Sequence, residues 1–172
     1  PLYQRIAIAH DYGADLFLSL HADSLTDSRI RGASIYTLSE TATDPQTAEL
    51  AMRENRAGLM DGLNLPTQDT NIAGMLVDLA YSETVQKAEM KAAILESHLR
   101  RNDTVRLLPV PHRKAAFAVL RAPDIPSLLI EIGFMSNPQE AEWMSNPDNL
   151  SSMMTSIAAA VEAYRTRLAQ AN

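Results

Sequence analysis

Cysteine is absent from the 172 residues. That excludes disulfides, a cysteine nucleophile and thiolate zinc ligands together. It leaves the compartment open, since a cytosolic chain and a thiol-avoiding periplasmic chain both fit. Basic charge is also short: 15 Lys and Arg stand against 21 Asp and Glu, a formal net charge of -6. A phosphate-binding footprint would be basic, so nucleic acid is not expected as a partner. The modest Arg100/Arg101 and Arg113/Lys114 concentrations read as solvated surface. No apolar run approaches the roughly 20 residues that cross a bilayer, so no membrane span is expected. No signal peptide is visible, and Pro1-Leu2-Tyr3-Gln4-Arg5 reads as the interior of a longer protein, a processed product or fragment. With six glycines, there is neither a glycine-rich phosphate loop nor a Gly-x-Ser-x-Gly elbow. The four histidines, His10, His21, His98 and His112, form no His-x-x-x-His pair and no His-Glu-x-x-His.

What is present is a chain of globular size, 46% hydrophobic and 21% charged, enough for a real core. Helical spacing over residues 2–12 ends at Gly13. An apolar run, Leu16 to Leu20, reads as a buried strand ending in His21-Ala22-Asp23. Residues 32–38 alternate and are β-branched, a second strand. Asp44-Pro45 starts a helix towards Gly62, with Asp as the cap and Pro in the first turn. Pro66 lies in a break over 63–69. A helix over 71–79 carries Ile72, Met75, Leu76 and Leu79 on one face. Ser82 caps a further helix with Val85, Met90, Ile94, Leu95 and Leu99. Pro109 and Pro111 interrupt the chain, and Ala116–Leu120 reads as a strand. Strand 127–130 ends in Glu131, before Gly133 allows a sharp turn. Asn137-Pro138 starts a short helix, and residues 150–168 form a final amphipathic one. Strands alternating with helices predict an α/β fold, with helices on both faces of a largely buried sheet.

Two residues stand where chemistry is expected. A strand ending in a histidine puts an imidazole at the carboxyl edge of a sheet, where α/β proteins keep their ligands. Asp23 is placed to orient a ring nitrogen of His21 or to cap the loop backbone. Glu131 directly follows four residues of strand, and a buried carboxylate there needs a partner. It reads either as the end of an ion pair or as a general base or acid with a raised pKa. His10 and His98 read as surface residues, and His112 sits in a Pro-His-Arg loop able to reach a site.

Several blocks together resemble the zinc-dependent N-acetylmuramoyl-L-alanine amidases of the amidase-3 family of bacterial cell-wall hydrolases. They are Ala14–Asp23, Gly32–Ser39, Glu54-Asn55-Arg56-Ala57, and Phe117–Ser127 running into Leu128–Pro138. The resemblance implies a mixed, mostly parallel sheet over residues 1–172, lacking the family's first strand and helix. It implies His21 as a zinc ligand and Glu131 as the catalytic glutamate. The family's two other ligands, a histidine in a Gly-His-Gly-Gly-like loop and a following glutamate, have no counterpart in these residues. The implied reaction is hydrolysis of the amide between N-acetylmuramic acid and L-alanine in peptidoglycan, in the periplasm or cell envelope. In division-associated members a helical segment covers the site until an activator displaces it. Residues 44–101 are the matching insert, with Glu54 as the candidate autoinhibitory metal contact and a LytM-domain protein as the candidate activator. His112 and Arg113 are candidate substrate contacts. Two rival readings are a catalytically inactive module that binds peptidoglycan or a division partner, and another zinc hydrolase such as a carboxypeptidase.

Overall fold

The computed structural model describes residues 2–60 and 72–171, with side chains described for residues 4–57 and 81–166. Among the described residues four strands form one sheet: β1 (Phe17–His21), β2 (Ala33–Leu38), β3 (Leu107–Ala115) and β4 (Ser127–Glu131), in the order β1-β4-β2-β3. β1 and β4 run the same way. At one end the Phe17 N–H donates to the Pro126 carbonyl at 3.0 Å, and at the other the Ile132 N–H donates to the His21 carbonyl at 2.9 Å. β2 is antiparallel to β4, with Ser34 opposite Glu131 and Tyr36 opposite Leu129. β2 and β3 are again parallel, since Ala33 pairs with Arg106 and Ser39 with Ala115. The sheet is therefore mixed and mostly parallel, within the expected α/β class.

The helices are α1 (Leu2–Asp11), α2 (Pro45–Met60), α3 (Ile72–Arg100), α4 (Pro138–Ser145) and α5 (Pro147–Ala171). Asp44 caps α2 as the sequence predicts, its carboxylate accepting the Thr47 N–H at 2.8 Å. Asn137 caps α4 in the same manner. The central strands β2 and β4 are buried at every residue. A strand covered on both faces has no solvent face, so β4 reads as an apolar run, whereas β2, which alternates in sequence, buries Ser34 and Thr37 as well as its apolar residues.

Four expectations need correction. First, β3 runs straight through Pro109 and Pro111, which the sequence reads as an interruption. β3 is an edge strand. Proline is tolerated on an edge strand because one side of it carries no ladder. Second, Ala116–Leu120 is no strand; it holds a short 3₁₀ turn over Ala118–Leu120. Third, β1 is only partly buried. Ser19 is the buried residue and Leu20 is 50% exposed, because β1 is the other edge. Fourth, α3 is one helix rather than two, and Ser82 lies within it. No glycine or proline follows Gly74 before Arg100, so nothing stops the helix there. Among the described side chains its buried positions are Thr84, Ala88, Lys91, Ala92, Leu95 and Leu99, not the Val85/Met90/Ile94 face; Met90 is 59% exposed. The Ile72/Met75/Leu76/Leu79 face and the break at 63–69 lie outside the described residues.

The chain packs as two compact units. One comprises the segment up to Ser19, Thr37–Glu89 and Arg113–Leu128. Its core includes Leu38, Leu50, Phe117, Leu120 and Leu128, and α1 and α2 both pack on the 3₁₀ turn. Asn55 braces that turn from α2. Its amide donates to the Ala116 carbonyl at 2.8 Å and its carbonyl accepts the Ala118 N–H at 2.7 Å. The other unit comprises Leu20–Tyr36, Met90–His112 and the segment from Leu129. It is built on Ile35, Leu95, Leu99, Leu129, Ile130, Phe134 and Met153, all nearly inaccessible. Lys91 stands 4.0 Å over the Tyr164 ring, a buried cation on an aromatic face.

Candidate active site

Parallel pairing of β1 with β4 carries their carboxyl ends to one edge of the sheet, the side on which α/β folds bind ligands. β1 delivers His21 there and β4 delivers Glu131. Leu128, Leu129 and Ile130 are inaccessible, and Glu131 at the strand end is itself 0% exposed. The backbone after His21 turns back on that carboxylate. The Asp23 N–H donates to Glu131 Oε2 at 3.1 Å. The Asp23 carboxylate in turn stands beside the imidazole, with Oδ2 3.6 Å from His21 Nδ1. The ligand-capable atoms of His21, Asp23 and Glu131 lie within 4.8 Å of one another.

Burial pushes the Glu131 carboxyl up to about 9, with the Asp23 carboxyl adding to the rise; the Asp23 amide and His21 act in the opposite sense. Glu131 Oε1 is buried and has no hydrogen-bond partner. An imidazole with carboxylates beside it is chemistry that a cation such as zinc accepts. His21 therefore fits as a metal ligand, with Asp23 and Glu131 within reach of the same ion.

The sequence-predicted residues divide accordingly. His21, Asp23 and Glu131 come together. The ligand-capable group does not include Glu54 or His112. Glu54 lies half-buried on α2 and His112 half-buried on β3. Arg113 is not solvated surface: its side chain is 12% exposed and its guanidinium meets Asp44 Oδ2 at 3.0 Å, with Gln46 and Thr47 close by. It buttresses the start of α2. His10 pairs with Asp124 at 3.1 Å, and His98 contacts the Ile94 carbonyl of its own helix. Sequence reasoning missed Asn55 as a brace of the 3₁₀ turn, although the Glu-Asn block drew attention to it. It also missed Arg31 and Glu140, whose carboxylate packs against Gly133. A Cβ on Gly133 would stand 2.5 Å from Glu140 Oε2.

The family model described as N-acetylmuramoyl-L-alanine amidase matches residues 1–163. The chain belongs to the N-acetylmuramoyl-L-alanine amidase family. Among curated relatives, AmiA of Escherichia coli K12 is 35% identical over 172 residues, covering 95% of this chain and 56% of the relative. The chain thus spans little more than half the length of that amidase. Among solved structures, an N-acetylmuramoyl-L-alanine amidase from Clostridium difficile 630 aligns with a TM-score of 0.64 at 18% identity, over 96% of this chain and 66% of the other. The CwlD amidase of Clostridioides difficile, solved in complex with the GerS lipoprotein, gives 0.61 at 18% identity, over 96% and 61%. At such identities these two establish the amidase fold. Among the described residues no helix is long and apolar enough to cross a membrane.

Proposed function

We propose that this amidase-family chain hydrolyses the amide between the lactyl group of N-acetylmuramic acid and the L-alanine of the peptidoglycan stem peptide, outside the cytoplasm in the periplasm or cell envelope. The observation that carries the reading is the meeting of His21 with the inaccessible Glu131 at the ends of two adjacent parallel strands. His21 would hold zinc, with the Asp23 carboxylate 3.6 Å from Nδ1 placed to orient the ring electrostatically. When bound, zinc supplies Lewis acidity at the amide carbonyl and lowers the pKa of a water to about 7.

Glu131 handles the proton. The Asp23 amide anchors Oε2, which leaves the buried Oε1 to take a proton from the attacking water and return it to the departing alanine nitrogen. A neighbouring cation lowers a carboxyl pKa that burial has raised, which brings Glu131 into the range where a base works at neutral pH. The helical segment 44–101, with Glu54 as an autoinhibitory metal contact, a LytM-domain activator and a role in cell division rest on the resemblance alone. So do His112 and Arg113 as substrate contacts, and Arg113 is already engaged by Asp44.

Incubation with purified peptidoglycan in the presence of zinc tests the proposal. Mass spectrometry should find stem peptides with a free L-alanine amino terminus. Glu131→Gln should lower their release by a factor on the order of 10² or more. Sacculi bound without peptide release, at full zinc occupancy, would favour the inactive binding module.

A further inference from the structure

The loops that leave β1 and β4 stay paired beyond the ends of the strands. From the site outward, the Ile132 N–H donates to the His21 carbonyl at 2.9 Å and the Met135 N–H to the Asp23 carbonyl at 2.8 Å. The Leu25 N–H then donates to Ser136 Oγ at 3.0 Å, and the Asn137 side-chain Nδ2 to the Ser28 carbonyl at 2.8 Å. At the far end Arg31 meets the α4 helix. Its Nε stands 3.4 Å from Glu140 Oε1, an ionic contact without a hydrogen bond, and its Nη1 donates to Gln139 Oε1. Partners advance together along both loops, so the contacts continue the parallel register of the strands.

The far end differs from the other rungs in charge and burial. The Glu140 side chain is 6% exposed and that of Arg31 31% exposed. A largely buried carboxylate without its cation would be an uncompensated charge, so the pair holds its two elements together. Glu140 also reaches back towards the site. Its Oε2 fills the space a Cβ on Gly133 would need, two residues beyond Glu131.

We propose that Arg31 and Glu140 are positioning residues: their ion pair clasps the two loops and thereby sets where the Glu131 carboxylate is held by the Asp23 amide. The catalytic consequence rests on the amidase reading above; the positioning does not. Losing the clasp frees the loops one rung at a time towards the site, while the sheet and its helices stay packed.

Amide hydrogen exchange on the metal-free protein tests this. Glu140→Gln and Arg31→Met are compared with the parent chain, with Arg31→Lys as a milder variant that keeps the charge. Exchange at Asp23, Leu25 and Met135 should speed up about tenfold or more in the first two variants, the loss expected for one largely buried ion pair. Amides between Lys91 and Leu99, and between Met153 and Ala160, should be unchanged. Arg31→Lys should fall between. On peptidoglycan, kcat should drop about tenfold with KM within about twofold, as for a group that orients the reacting residue rather than binds substrate. Unchanged exchange at Asp23 and Met135 overturns the proposal, as does a uniform rise across the molecule, the mark of a merely structural pair. If Glu140→Gln or Arg31→Met does not fold, Arg31→Lys decides on the same amides. A parent chain that releases no peptide, with site amides that still respond to the clasp, would refute the amidase reading and leave the positioning intact.

Discussion

Glu131 sets the first consequence at the scale of single residues. Its carboxyl is raised from 4.5 to about 9 in the metal-free fold, by burial first and by Asp23 second. Between those values the folded protein keeps a proton that the unfolded chain releases. The folded state therefore binds more protons, and stability must fall as pH rises through that window. The slope approaches roughly 1.4 kcal/mol per pH unit for one such group. Glu131→Gln has no proton to lose. In chelator, urea midpoints of the parent should drop between pH 5 and pH 8, while those of the variant should move much less. Parallel pH dependences would show that Glu131 is not the group responsible. Gly133 makes a second prediction at this scale. Gly133→Ala puts a methyl 2.5 Å from Glu140 Oε2, so that side chain must shift, and does so on a backbone at φ +158° that strains any side chain; the two together should cost about 1–3 kcal/mol by urea unfolding. His21 and Glu131 were legible from sequence because a charged or ligating residue at the end of an apolar strand is a local pattern. Arg31 and Glu140 were not: they lie 109 positions apart and look like ordinary loop and helix charges.

Elements were legible where local chemistry decides them. Asp44-Pro45 and Asn137-Pro138 start α2 and α4 because capping needs only a few neighbouring residues. Where sheet position decides, sequence alone misleads. The proline-containing strand β3 and the half-exposed β1 are both edges, and nothing in either segment states its neighbours. The two edges also differ. Pro109 is exposed on β3 while Pro111 is buried, so Pro109 is the one that stands where another strand could approach, and proline on an edge is a recognised defence against strand-to-strand association. Pro109→Thr supplies a donor beside Val110, which is 55% exposed. The variant should keep the fold and gain concentration-dependent self-association by analytical ultracentrifugation. A variant that stays monomeric across the same range would mean Pro109 serves only the backbone path. Asn55→Ala, which deletes both braces of the 3₁₀ turn, should cost about 1–3 kcal/mol, since it leaves the Ala118 N–H and the Ala116 carbonyl unpaired.

For the molecule as a whole, metal, proton and fold are linked through one cluster. A cation held by His21 with Asp23 and Glu131 at hand binds the folded chain and finds no such cluster in the unfolded one. Zinc should therefore raise the unfolding temperature, with a stabilisation of about 2.7 kcal/mol at a hundredfold excess over its dissociation constant. Metal ligands must be deprotonated, and a nearby cation lowers the raised Glu131 carboxyl, so binding must also expel protons. The two effects have a joint signature. Calorimetric titration with zinc at pH 7, in two buffers of different ionisation enthalpy, should give heats that differ in proportion to the protons released. Glu131→Gln should release fewer protons while His21 still responds to the metal. His21→Ala should abolish both the heat and the rise in unfolding temperature. If zinc stabilises the His21→Ala protein as much as the parent, the metal sits elsewhere, and the meeting of His21 with Glu131 at the strand ends is not the metal centre.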